Sequence, residues 1–283
     1  MRRSTRTRRS RRRGGVLTGL IVAALMLGGG VVGARWFVSR YQVVLPLADQ
    51  CAALVTGQRV SLTPEQARYA AIIVAEAQRR ELAPRASSIA LATAYQESGI
   101  RNLDHGDLDS VGLFQQRPSQ DWGSVEQIMD PWYASGKFYE ALVKIPGWRN
   151  ADLNDIAQKI QISAHPEAYR KHVPNARRLA SALTGETPAS FGCSLSGAGR
   201  AEPEQVTELL SRAFGDRVEL TGEARTLRVK ASSPEVAWSA AHLAIAAGAG
   251  VSSAQLGGAS WNRSAVTWQG RPGDATVAVL TFG

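Results

Sequence analysis

Ala92-Thr93-Ala94-Tyr95-Gln96-Glu97-Ser98-Gly99, followed after a short polar loop by Asp109-Ser110-Val111-Gly112-Leu113-Phe114-Gln115-Gln116, is the stretch on which the reading of this chain turns. Its first half closes an apolar helix predicted over 84–98. Glu97 falls in the last turn, and Gly99 takes the position after the C-cap, where a left-handed residue commonly ends a helix. A carboxyl there meets the negative pole of the helix dipole, and partial burial disfavours its charge further. Both favour the protonated form, which is the form that can give a proton to a leaving oxygen. In the second half, Gly112 lets the backbone approach closely, while Gln115 and Gln116 set amide donors and acceptors beside the acid.

Working outward, the segment 63–82 opens with Thr63-Pro64-Glu65-Gln66: an N-cap, a proline at the first helical position and a capping-box glutamine. Ala67, Ala70, Ala71, Val74 and Ala75 then keep helical spacing. Further helices are predicted over 131–144, 154–163 and 166–183. Nothing from 62 to 183 alternates as a strand does, so 50–193 is expected to be an all-α domain. A Gly/Ser/Ala-rich linker is expected over 194–201. After it, 202–283 reads as a small α+β domain, with helices at 204–213 and 234–247 and strands at 217–220, 227–230, 251–256, 265–268 and 276–282. The expected class is α+β overall.

With 283 residues, 44% of them hydrophobic and 20% charged, the chain has an ordinary globular balance. Its net charge of +9 is local: eight arginines fall within the first thirteen residues, and removing them leaves +1. The folded part is thus near neutral, which argues against a nucleic-acid partner. After the tail, 1–15, comes an uncharged apolar run within 16–38, long enough to cross a hydrocarbon core of about 30 Å as a helix. The arginines before it put the N-terminus in the cytoplasm and the bulk of the chain outside. A single-pass membrane anchor is the expectation. A cleaved signal peptide is the alternative, although its apolar region is ordinarily about 7–15 residues.

The two cysteines, Cys51 and Cys193, lie on the expected outer side and bracket the helical segment. There a disulfide is expected, worth about 4 to 5 kcal/mol in the simplest chain-entropy account, with two buried free thiols as the alternative. Neither cysteine has a Cys or His partner at zinc-ligand spacing. The acidic run from Asp104 to Asp109 lacks the spacing of a calcium loop. His165 and His172 suit neither zinc nor a triad and read as surface residues. No metal or organic cofactor is expected. Trp261 and Trp268 read as core of the small domain, with sugar stacking as the alternative.

Glu97, Ser98, Ser110, Gly112, Leu113, Phe114 and Gln115 follow, in order and spacing, a helix ending in Glu-Ser, then a Ser, then a Gly-Leu-(Met or Phe)-Gln turn. This compound pattern resembles the lysozyme-like superfamily, in particular soluble lytic transglycosylases and goose-type lysozymes. The runs Gln120-Asp121-Trp122-Gly123 and Asp130-Pro131-Trp132-Tyr133 are similar to lysozyme-like domains of actinobacterial exported proteins. The likeness covers about 51–193 and does not reach the C-terminal part.

The resemblance implies cleavage of the MurNAc-GlcNAc β-1,4 bond of peptidoglycan, with Glu97 as general acid and, in transglycosylases, also as base. It implies substrate-side roles for Ser98, Ser110, Gly112, Phe114, Gln115 and Gln116. The downstream Ala-Tyr-Asn of lytic transglycosylases is missing; the nearest stretch is Ala168-Tyr169, which makes Tyr169 a cleft candidate. Asp107, Asp109 and Asp121 are candidates for a second carboxylate. Inverting hydrolases hold it about 6.5–9.5 Å from the acid and retaining ones about 5–5.5 Å. With none in range, the substrate's N-acetyl group would assist. The alternative is a non-catalytic peptidoglycan-binding or envelope scaffolding protein that keeps the cleft. An envelope partner is the default expectation for the C-terminal domain.

Overall fold

Thr56 and Gly57 both take positive φ, 49° and 75°. A two-residue turn of that kind matches the twist of a hairpin, and here it joins β1 (Gln50–Val55) to β2 (Gln58–Leu62). The computed structural model describes residues 49–162, 165, 167–197 and 200–283. The arginine-rich tail and the expected anchor at 16–38 lie outside these residues, and the expected linker is described only in part. Among the described residues no helix is long and apolar enough to cross a membrane.

The helical segment is not all-α. A third strand, β3 (Phe191–Ser194), pairs antiparallel with β1 to give the order β2-β1-β3. The hairpin escapes a search for alternation because Cys51, Ala52 and Ala53 of β1 are buried in succession, as in a strand covered on both faces. Cys51 lies opposite Cys193 in the β1–β3 register, and the two form a disulfide across a sequence separation of 142.

Helix α1 (Pro64–Arg79) begins on the full Thr63/Gln66 capping box. Helix α2 (Pro84–Ser98) ends on Gly99 at φ 64°. A short α3 (Val125–Met129), absent from the sequence reading, starts on a second capping box, Ser124/Gln127. Then come α4 (Pro131–Val143), capped by Asp130, and α5 (Leu153–Gln161). The helix expected over 166–183 divides into a 3-10 turn, Arg170–His172, and α6 (Val173–Leu183). Pro174 explains the division: it suits a first helical turn but would clash with the preceding carbonyls inside a longer helix.

The C-terminal part holds α7 (Pro203–Phe214), β4 (Val218–Glu223), β5 (Thr226–Ala231), α8 (Pro234–Ala247), β6 (Val251–Leu256), β7 (Gly258–Asn262), β8 (Gln269–Arg271) and β9 (Val277–Phe282). They form an antiparallel sheet of order β4-β5-β9-β6-β7-β8. The strand expected at 265–268 is a loop instead, and β7 and β8 pair on either side of it. One face of the sheet, with Val229, Ala254, Trp261 and Leu280, is buried beneath α7 and α8.

Helix α8 is apolar nearly all round because it is covered on both sides. It packs on the sheet, and also on α1, α6 and β3. Ser239 on α8 donates to the Leu183 carbonyl at 2.8 Å, and His242 Nδ1 donates to that of Ala182 at 2.7 Å. Arg217 donates to the Gln78 carbonyl at the end of α1, and Trp268 Nε1 to that of Phe191 at 2.8 Å. The hydrophobic core is therefore continuous from α1 to β9. Each large aliphatic side chain buried in it contributes about 1.5–3 kcal/mol.

Candidate active site

The run Ala90, Leu91, Ala92 and Ala94 is fully buried, so α2 passes through the middle of the helical body. At Tyr95, Gln96 and Glu97 the helix surfaces, and these side chains are half-buried. Gly99 then reverses the chain in the left-handed region, where its missing Cβ carries no penalty. The apolar helix thus delivers one carboxylate to the edge of the core.

Ser98 fastens the following loop to that helix end. It is 4% exposed, so it works as a tether rather than at the surface. Its hydroxyl lies 2.8 Å from the Leu113 carbonyl and 3.1 Å from that of Ala94, and it accepts the Arg101 N–H at 3.2 Å. The loop itself is a tight hairpin in which Val111 and Gln116 exchange backbone hydrogen bonds at 3.0 Å. Gly112 at its start has φ 82°, and a Cβ there would stand 2.9 Å from the Ile128 carbonyl, so the position requires glycine.

Phe114 points away from the surface and stacks on Phe138 at 4.6 Å in the core. Gln116, 1% exposed, donates to the Ala134 carbonyl at 3.3 Å. Gln115 sits at φ 48° and donates to the carbonyls of His105 and Gly112, each at 3.3 Å. Ser110 is buried, its N–H bonded to the Asp107 carbonyl at 3.0 Å. Gln161 at the end of α5 braces the hairpin from behind, donating to the Phe114 carbonyl at 2.8 Å. Of the residues proposed to line the cleft, Ser98, Phe114 and Gln116 thus build the wall behind the acid, and Gln115 stands at its half-exposed edge.

Tyr169 meets Glu97 directly. Its ring is fully buried, and its hydroxyl donates to Glu97 Oε1 at 2.7 Å. The other carboxylate oxygen of Glu97 has no hydrogen-bond partner and no paired cation among the described residues, so it is open to an incoming group. The Ala168-Tyr169 pair therefore supplies a tyrosine to the acid even without the following Asn.

The three aspartates behave differently. Asp109 accepts from Arg117 Nε at 2.6 Å, from the Ser119 N–H at 2.9 Å and from the Ser119 hydroxyl at 3.0 Å. The Arg117 guanidinium first, and then Ser119, hold its carboxyl well below the usual carboxylate range. Asp109 thus anchors the start of the hairpin. Asp107 and Asp121 are exposed, and Asp121 ends the 3-10 turn Pro118–Gln120 at φ 62°. Among the described residues no hydrogen bond joins any of the three to Glu97.

His172 is half-buried rather than a free surface residue. Its ring stacks on Tyr95 with centroids 5.6 Å apart and planes 4° apart, and its Nε2 lies 3.2 Å from Gln96 Oε1. Burial first, and Lys171 second, pull its titration below the ordinary value. The sequence reading missed this residue, along with Gln96, Arg117, Ser119 and Gln161. A signal was present for the first: residues three apart in the helix expected over 166–183 share a face, so His172 falls on the side of the Tyr169 candidate.

Ile100, just after the helix end, and Gln115 in the hairpin have left-handed backbone, at φ 55° and 48°. Two surface hollows of about 440 and 480 Å³ lie elsewhere, one lined by Arg68, Tyr69 and Arg263 and the other by Glu204, Glu208 and Glu223. Neither includes Glu97. The site is assigned on the contact between Glu97 and the buried Tyr169 hydroxyl. No protein-family model matches the chain, and no curated protein matches it.

Proposed function

We propose that this protein cleaves peptidoglycan glycan strands outside the cytoplasm, with Glu97 as the general acid. One observation carries the reading: a half-buried glutamate at the end of an apolar helix, with one oxygen held by a buried tyrosine hydroxyl and the other open. General acid catalysis requires a carboxyl positioned within hydrogen-bond reach of the leaving oxygen, and a fixed oxygen–hydroxyl pair supplies that positioning.

The engagement of Asp109 by Arg117 and Ser119 bears on the mechanism. A carboxylate held by three donors is a poor base for activating water. This favours a route in which Glu97 protonates the glycosidic oxygen and the substrate's own N-acetyl group stabilises the developing charge. Glu97, once deprotonated, then takes the proton from the sugar's 6-hydroxyl or from water, giving an anhydro or a reducing end.

Muropeptide mass spectrometry after incubation with purified peptidoglycan tests this. Wild type should release fragments, and Glu97→Gln should lower the rate by at least about 1000-fold, since loss of the general acid removes most of the chemistry it performs. Anhydro ends would mark a transglycosylase and reducing ends a hydrolase. Equal fragment release by both proteins, or none by either, would sink the proposal.

A further inference from the structure

Gln96 immediately precedes the acid, and its amide has a defined sense. His172 Nε2 donates to Gln96 Oε1 at 3.2 Å, and the His172 ring is itself held by stacking on Tyr95. An amide whose oxygen is taken in this way offers its two N–H groups from the opposite edge. Those N–H groups have no partner among the described residues, and Gln96 is half-buried rather than free in solvent. The same turn that supplies His172 also supplies Tyr169, which holds Glu97 at 2.7 Å. One short turn therefore grips two successive side chains of α2, an acid and an oriented amide donor.

We propose that Gln96 is a specificity-determining residue whose N–H pair receives the acetamido carbonyl oxygen of the sugar bound beside Glu97, and that His172 is the positioning residue that aims it. The proposal rests on the reading of Glu97 as the acid of a glycosidase for amino-sugar chains. Its chemistry is narrow. A de-N-acetylated sugar presents an ammonium where the carbonyl would be, setting donors against donors, and a site that loses its acceptor in this way rejects the ligand. Neutral His172 with its proton on Nε2 and doubly protonated His172 both donate to Gln96, so the presentation survives protonation of the ring.

The test uses the full-length protein carrying Glu97→Gln, titrated calorimetrically with the N-acetylglucosamine tetramer and with its de-N-acetylated counterpart. The acetylated tetramer should bind more tightly. Adding Gln96→Ala should weaken it about tenfold, the effect of one hydrogen bond, and leave the de-acetylated tetramer unchanged. His172→Phe, which keeps the stack on Tyr95 but lacks the donor, should reproduce the loss and add little to Gln96→Ala in the double variant. Equal weakening of both tetramers by Gln96→Ala, or of neither, overturns the inference. Peptidoglycan turnover by the otherwise native chain separates the two readings. Gln96-dependent binding without turnover overturns the glycosidase reading and leaves the subsite, whereas turnover indifferent to Gln96→Ala overturns the subsite alone.

Discussion

At the scale of single residues, the acid is defined by one hydroxyl. Tyr169 is fully buried, so its bond to Glu97 Oε1 is held by core packing and does not depend on a mobile side chain. Tyr169→Phe removes only the oxygen. Loss of one hydrogen bond to a charged group should lower kcat by about 10- to 100-fold with KM little changed. Steady-state kinetics on peptidoglycan, with near-ultraviolet circular dichroism as a check on packing, measures this, and an unchanged kcat would remove Tyr169 from the site. Glu97 itself was legible in the sequence, because Glu-Ser-Gly after an apolar run forces a carboxylate to a helix end. Its tyrosine was legible only as the remnant of a motif. His172 was legible only through its three-residue spacing from Tyr169: its partners lie 76 and 77 residues away, and nothing else local distinguishes a half-buried histidine from an exposed one.

At the scale of elements, the hairpin Val111–Gln116 is hung between two anchors, Ser98 behind it and Asp109 in front. The two contribute differently. Asp109 is a half-exposed anchor, and ion pairs that solvent reaches add little to stability. Asp109→Asn should therefore leave the thermal midpoint nearly unchanged, yet lower kcat/KM by about 10-fold through a less well positioned wall. Inactivation as deep as that of Glu97→Gln would instead make Asp109 a second catalytic carboxylate. Most helices could be read from caps and spacing: Thr63/Gln66, Pro84 and Gly99 each fix a boundary. The elements that escaped did so for physical reasons. β1 is covered on both faces and so has no alternation, α3 is too short to show a period, and Pro174 ends the apparent run that precedes α6.

For the whole molecule, the six-stranded sheet and the helical body are joined through α8, and His242 sits at that junction. It is fully buried among Phe191, Trp238 and Trp268. Burial pushes its titration down from the ordinary 6.5 to about 4, with the Ala182 carbonyl opposing only in part. The sign follows from which state takes the proton. Above pH 6.5 both folded and unfolded chains hold a neutral ring. Between about 6.5 and 4 only the unfolded chain protonates, so stability falls as pH falls, by about 3 kcal/mol over the window. Urea unfolding at pH 7 and at pH 4.5 should show this loss in wild type and a smaller one in His242→Asn. An equal loss in both would mean that other groups carry the acid sensitivity.

The cross-strand bond between Cys51 and Cys193 makes the shortest covalent path from Asp49 to Gly283 bypass everything from Ala52 to Gly192. Tension applied between those two residues therefore runs through β1, the two sulfurs and β3. The acid, its tyrosine and the hairpin wall hang beside that load path. Pulling on those residues strains that sheet and the C-terminal strands first. The contact between Glu97 and Tyr169 stays off that path until the bond is cut or the core itself gives way.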